Sequence, residues 1–310
     1  MRVYSSAEVH AALPWPKLVT AIEAAFIAGA TVPLRHAHAL SAEDTLLLMP
    51  AWNDDLLITK LVTVIPGAAN TFQATVQATV LAIHRRSGEP LALLDGEALT
   101  VRRTAATSAL AAKHLALVDA HTLLIVGTGR LAGWMARAHV ALRPALKHVL
   151  VWGRRAEAAQ ALASTLAAEG LPAQAAPDLE PAVRAAQIVC CATTSAEPIV
   201  RGDWLAPGTH LDLVGGFRPT MREVDDAAVR SASVVVDTYA GALAEAGDLT
   251  QTMARGVITR AHVLADLAEL LRGARQGASP LRRSANEVTL FKSVGTALED
   301  LAAAGCVLSA

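Results

Sequence analysis

Gly127 and Gly129, followed by Ala132, make a Gly-x-Gly-x-x-Ala turn at the end of the apolar run "LLIVG". Such a turn can receive a pyrophosphate. Gly127 permits the tight bend, Gly129 leaves the backbone N–H groups bare, and Ala132 lets the following helix lie close to its strand. Arg130 and Leu131 open that helix beside the anion. A second apolar run, "HVLVWG", ends on Gly153, Arg154 and Arg155. An acid at this second strand tip would accept hydrogen bonds from the ribose 2′-hydroxyl of NAD and repel the 2′-phosphate of NADP. Two guanidinium groups reverse that preference through charge-assisted, often bidentate bonds. The pattern predicts a dinucleotide site that favours NADPH, with NADH the other candidate.

A nicotinamide enzyme also needs a substrate anchor and a proton donor. Basic residues upstream of the glycine turn include Arg35, Arg102, Arg103 and Lys60. An arginine fork suits a carboxylate, and Lys60 could either donate a proton or hold a carboxylate. Lysine occurs only at Lys17, Lys60, Lys113, Lys147 and Lys292, so each one stands out. His36 and His38 alternate on a strand-like run without a third ligand at a useful spacing, so no metal site is expected. No Gly-x-Ser-x-Gly elbow supports a serine nucleophile. Asp248 in "EAGDL" is expected to cap a turn. Cys190 and Cys191 are expected to be core thiols of an apolar strand, and with Cys306 they form no Cys-x-x-Cys motif.

The elements that must position these residues follow from hydrophobic period. "SSAEVHAALPWPKLVTAIEAAFIAGA" predicts two helices closed by Pro33. From Leu34 to Ala92 the runs "HAHAL", "TLLLMPAW", "LLITKLVTVIP" and "TVQATVLAI" predict a mainly antiparallel sheet. "TVRRTAATSALAAKHLA" predicts a long helix capped by Thr100 or Thr104. From His121 onward, "TLLIVG", "HVLVWG", "QIVCCAT", "THLDLVGG" and "SVVVDT" alternate with helices. Continuous apolar strands of this kind predict a parallel sheet covered on both faces. The fold class is α/β, a Rossmann-type doubly wound sheet beside a second, α+β domain.

Length and charge limit the partners. A chain of 310 residues with a formal net charge of −1 has no basic bias toward nucleic acid. The uncharged stretch from Leu61 to Ile83 is broken by Pro66, Gly67, Asn70, Gln73 and Gln77, so strands and a turn are expected rather than a membrane span. The N-terminus lacks the pattern of an export signal, and a cytoplasmic, reducing location is expected.

Five segments carry a resemblance: "KLVTVIPG", "GEPLALLDGEALTVRRTAATSALAAKHLA", "GTGRLA", "VDTYAGALAEAGDL" and "TLFKSVGTALEDLAAA". In this order, through nearly the whole chain, they resemble the ornithine cyclodeaminase/mu-crystallin family. The resemblance implies a substrate-binding and dimerisation domain of residues 1–116 with 289–310, a Rossmann domain of residues 117–288, and a homodimer. It implies that Arg35 and Arg103 bind the substrate carboxylate, that Lys60 is the active-site lysine and that Met49 lines the pocket. It places Thr104, Thr194 and Ser195 along the cofactor, with Ser293, Val294 and Gly295 near the nicotinamide and Gln77 close to the site.

One segment departs from the pattern. Cyclodeaminases resemble one another in carrying an aspartate directly after the glycine pair of "LDLVGGFRPTMREVD", and here Phe217 stands there. An aromatic ring neither takes a proton nor pairs with an ammonium as a carboxylate does. Relatives with the altered loop look like ketimine reductases. The expected activity is therefore reduction of a cyclic imino acid, Δ1-pyrroline-2-carboxylate or Δ1-piperideine-2-carboxylate, to L-proline or L-pipecolate, with Phe217 as an apolar wall. Alternatives are a cyclodeaminase, an amino-acid dehydrogenase acting on an open-chain oxo acid, or a non-enzymatic binder of NADPH and a small ligand.

Overall fold

In "LLITKLVTV" the side chains of Leu56, Ile58, Lys60 and Val62 are buried, and those between them are not. This period of two is that of a strand with one face on a core, and it puts a lysine into that core. The structure is a computed structural model describing residues 1–67, 75–277 and 281–310. Two compact units appear, 1–104 with 296–310, and 105–295.

The first unit begins with β1 (Arg2–Tyr4), α1 (Ser6–Ala12), α2 (Trp15–Ala28) and β2 (His36–Ala39). It continues with β3 (Thr45–Trp52), β4 (Leu56–Val64), β5 (Val76–His84), β6 (Pro90–Asp95) and the start of α3 (Gly96–Leu115). Its sheet has the order β1-β6-β5-β4-β3-β2. All neighbours are antiparallel except β1 and β6. Ser5 and Glu8 close a capping box at the start of α1. The expected cap of α3 is corrected. The helix starts straight from β6, and Asp95 Oδ1 accepts the Ala98 N–H at 2.7 Å. Thr100 and Thr104 lie inside the helix, where Thr100 Oγ1 donates back to Gly96 O at 2.6 Å.

The second unit alternates strands and helices. They are β7 (Thr122–Val126), α4 (Arg130–Leu142), β8 (His148–Trp152), α5 (Ala156–Ala168), β9 (Ala173–Ala175), α6 (Leu179–Ala185), β10 (Ile188–Cys191) and β11 (His210–Leu213). Then come α7 (Asp226–Ser231), β12 (Ala232–Val236), α8 (Tyr239–Glu245), α9 (Gly247–Ala254), β13 (Val263–Asp266), α10 (Leu267–Arg275) and β14 (Val288–Lys292). The sheet order is β13-β12-β14-β11-β10-β7-β8-β9, and every pair is parallel. Strands such as "TLLIV" and "IVCC" are buried at every position, as helices on both faces require. This is a Rossmann-type α/β fold. Strand order reverses between β7 and β10, and ligands of such sheets bind at the carboxyl ends beside that switch point.

The last helix, α11 (Ala297–Leu308), belongs to the first unit and packs on α2, β3 and β4. The boundaries differ from those expected from sequence. The first division falls within α3, after Thr104, and the second after Gly295. The apolar run of β14 fills the gap between β11 and β12, so residues 289–295 stay with the second unit. The sequence patterns missed β1, β9 and β13, which are too short to show a period. Among the described residues no single helix is long and apolar enough to cross a membrane.

Candidate active site

The glycine turn lies where the switch point requires it. Gly127 has φ of 125°, and a Cβ there would meet Ala192 O at 2.6 Å, so only glycine fits. Gly129 precedes α4 as its N-cap without a side-chain cap, leaving the first helical N–H groups for an anion. Gly127, Gly129, Gly153, Arg154, Arg155, Thr194 and Ser195 line one cleft of about 590 Å³. Arg154 and Arg155 are exposed at its wall, while Arg130 and Leu131 form the first turn of α4 next to it. A Cβ on Gly153 would come within 2.6 Å of the Thr128 side chain, which would have to shift to admit it. A bare helix N-terminus, a glycine floor and two guanidinium groups fit a dinucleotide phosphate.

Residues 293–295 leave the end of β14 as a loop tied to one buried acid. Asp237 Oδ2 accepts the N–H groups of Val294 and Gly295 at 2.8 and 2.7 Å and the Ser293 hydroxyl at 3.2 Å. Burial raises the pKa of Asp237, and these donors oppose the rise. Phe217 is 38% exposed beyond Gly215 and Gly216, with the Arg218 guanidinium 5.7 Å from its ring centre.

In the first unit, β4 sets Lys60 directly opposite Met49 of β3. Both are buried. His36 pairs with Leu48, so half-buried Arg35 comes one position outside β2, next to Met49 in the register. Lys60 Nζ is 2.6 Å from Asp300 Oδ2 and 3.5 Å from Thr100 Oγ1. Arg103, buried on α3, donates from Nε to Asp300 Oδ1 at 3.1 Å and from Nη1 to Glu299 Oε2 at 2.6 Å. The result is a buried group of two cations and two carboxylates. Burial pulls the Lys60 pKa down to about 8, helped by Arg103 and opposed by Asp300. Burial would also lower that of Arg103, but Asp300 and Glu299 raise it. Asp300 is held below its ordinary value because Lys60 and Arg103 outweigh its own burial.

Three residues stand apart from this group. Arg102 stacks on the Trp15 ring at 3.8 Å and donates to Leu13 O, a fastening within the first unit's helices. Gln77 is exposed and pairs with Thr63, on the sheet face away from Lys60. Thr104 is buried in α3, one residue past Arg103.

Glu299, Asp300 and Asp237 escaped the sequence reading. A signal existed for the first two. The helix "ALEDLAAAGCVL" is apolar nearly all round, so its acid pair must be buried, and buried carboxylates need cations. One His–Cys–Asp group also emerges. Ligand-type atoms of His139, Cys190 and Asp212 lie within 4.8 Å of one another in the second unit's interior. Asp212 already accepts from Ser108 Oγ at 2.8 Å and contacts His139 Nε2 at 2.9 Å, which satisfies the carboxylate without an ion. Burial raises the Cys190 and Cys191 thiols well above their usual range, the state of inert core sulfurs.

Fold and cleft together define a dinucleotide-binding α/β protein with a separate unit that carries a buried Lys–Arg–acid cluster. The chain belongs to the ornithine cyclodeaminase/mu-crystallin family, whose model matches residues 1–309. It is 33% identical over 316 residues to a Δ1-pyrroline-2-carboxylate reductase of Colwellia psychrerythraea, covering 99% of this chain and 98% of that protein. Among solved structures, it is similar to Thermococcus litoralis Δ1-pyrroline-2-carboxylate reductase in complex with NADH and L-proline. There the TM-score is 0.93 at 31% identity, over 100% of this chain and 97% of the other. An archaeal alanine dehydrogenase dimer with bound NAD matches with a TM-score of 0.92 at 27% identity, over 100% and 95% of the two chains.

Proposed function

We propose that this chain is an oxidoreductase acting on C=N bonds, a nicotinamide-dependent reductase of cyclic ketimine carboxylates. Its substrates are Δ1-pyrroline-2-carboxylate and the six-membered Δ1-piperideine-2-carboxylate, and its products L-proline and L-pipecolate. The observation that carries the reading is Lys60, a buried lysine with its pKa drawn to about 8, in a family member whose second unit has a dinucleotide cleft. The reductases to which the chain is similar support the substrate class.

Arg35 and Arg103 hold the substrate carboxylate, and Asp300 with Glu299 fixes the Arg103 guanidinium. Asp300 also keeps Lys60 protonated below about pH 8, so its ammonium can give a proton to the imine nitrogen. When bound, a reduced nicotinamide supplies the hydride that the imine carbon accepts. Met49 and Phe217 exclude water from the ring. Gly127, Gly129, Arg130 and Leu131 would hold the pyrophosphate, Gly153 would lie at the ribose end beside Arg154 and Arg155, and Thr104, Thr194, Ser195 and residues 293–295 would hold the rest of the cofactor. Arg154 and Arg155 favour NADPH over NADH through the 2′-phosphate. Gln77, on the face away from Lys60, has no part in this proposal. A homodimer is proposed from the archaeal relative's description as a dimer.

Product analysis separates this activity from its neighbours. Chiral chromatography of a reaction with either ketimine and NADPH is expected to give only the L-amino acid. The archaeal alanine dehydrogenase similarity favours a second reading, reductive amination of an open-chain oxo acid. Turnover of pyruvate with ammonia but not of the ketimines would replace the proposal with that reading. Proline and ammonia formed from ornithine without net cofactor change would replace it with cyclodeamination.

A further inference from the structure

Glu223, Asp248 and Lys292 are fully buried together in the second unit. Lys292 Nζ lies 3.0 Å from Asp248 Oδ2 and 3.9 Å from Glu223 Oε2. Asp248 Oδ1 accepts the backbone N–H groups of Glu223 and Val224 at 2.8 and 3.1 Å, which fixes where the glutamate starts. Asp248 is thus more than the turn cap expected from sequence. Glu223 then reaches two loops at once. Its Oε1 accepts the Thr193 N–H at 2.8 Å and the Thr193 hydroxyl at 2.9 Å. Its Oε2 accepts the N–H groups of Gly215 and Gly216 at 2.8 and 3.2 Å.

The glycine pair is a consequence of this clasp. A Cβ on Gly215 would sit 2.0 Å from Thr193 O, and one on Gly216 would sit 2.8 Å from Asp248 Oδ2. Burying three ionisable groups is costly even when they pair, and well-packed apolar residues would hold a core as firmly. The cluster's distinct contribution is therefore geometric. Thr193, with Thr194 and Ser195, lines the dinucleotide cleft, whereas Glu223 does not.

We infer that Glu223, itself held by Asp248 and Lys292, is a positioning residue for dinucleotide binding: it fixes the 193–195 loop in the form that receives the cofactor. The inference rests on the reading of the cleft as a dinucleotide site. In Glu223→Gln the side chain keeps its size, but an amide N–H₂ must face backbone N–H donors, so one side of the clasp opens. Thr193→Val removes the hydroxyl donor to Glu223, together with the acceptor of the Ser195 N–H at 3.3 Å, and leaves the carboxylate in place.

The experiment titrates NADPH into wild type, E223Q and T193V by nicotinamide fluorescence, with melting temperature and steady-state kinetics in parallel. E223Q is expected to bind NADPH about tenfold more weakly, the scale of a lost hydrogen bond to a charged group. Its KM for NADPH should rise by a similar factor with kcat little changed, and T193V should fall between it and wild type. Unchanged NADPH affinity in E223Q, whatever its melting temperature, would overturn the inference. If E223Q does not fold, wild-type affinity in T193V would overturn it equally. Failure of wild type itself to bind NADPH or NADH would instead overturn the dinucleotide reading beneath it.

Discussion

A lysine as deeply buried as Lys60 keeps its charge at neutral pH because Asp300 lies 2.6 Å away, with Glu299 adding to the effect. Burial still wins part of the contest, so its folded pKa of about 8 lies below the ordinary 10.5. The protonated form is the donor, hence turnover is expected to be maintained below about pH 8 and to fall as pH rises through that value. Lys60→Met should lower kcat about a hundredfold or more, the scale of a lost general acid, with NADPH affinity little changed. It should also abolish the alkaline limb near pH 8. A methionine variant with normal turnover would remove Lys60 from the mechanism. At the cleft, Arg154→Ala with Arg155→Ala should reduce the preference for NADPH over NADH about tenfold or more, read as the ratio of the two kcat/KM values. An unchanged ratio would make both arginines surface charges. The place of the arginine pair was legible in sequence because a strand tip has a fixed position, whereas the proposed role of Lys60 came through family resemblance. Glu223 was not legible, because an acid on a loop reads as solvated until the tertiary fold buries it, whereas Glu299 and Asp300 carried a signal in their apolar helix that the residue patterns passed over.

Among the elements, the turn from β7 into α4 is the one least able to tolerate change. Gly127 combines a φ of 125° with a Cβ site 2.6 Å from Ala192 O, so a side chain there is both strained and obstructed. Gly127→Ala is expected to destabilise the protein by about 1–3 kcal/mol and to weaken dinucleotide binding sharply. Calorimetric melting and a cofactor titration would read the two effects, and a variant that melts and binds like wild type would contradict the assigned turn. This element was fully legible, because glycine spacing after an apolar strand is a local pattern. The start of α3 was less so. Thr100 and Thr104 looked like caps, but Asp95, the last residue of β6, takes that role and draws the helix start back to Gly96. β14 was misassigned for a similar reason. Its own five residues, "VTLFK", cannot say that their neighbours are β11 and β12.

At the scale of the whole molecule, one unit carries the basic and acidic cluster and the other the dinucleotide fold. The alternation of strands and helices announced the second unit, since parallel sheets require crossovers that leave long, regular traces. The return of α11 to the first unit came only through family resemblance, as no local signal tells a final helix which core it joins. The proposed homodimer predicts a mass in solution of about twice 32.2 kDa by light scattering, and a monomer mass at working concentration would contradict it. The reduction itself is tested by mixing the purified protein, NADPH and freshly generated Δ1-pyrroline-2-carboxylate. The expected result is rapid loss of reduced-cofactor absorbance, slower with NADH in place of NADPH, and L-proline in stoichiometric amount. No loss with either cofactor, for five- and six-membered ketimines alike, would contradict it.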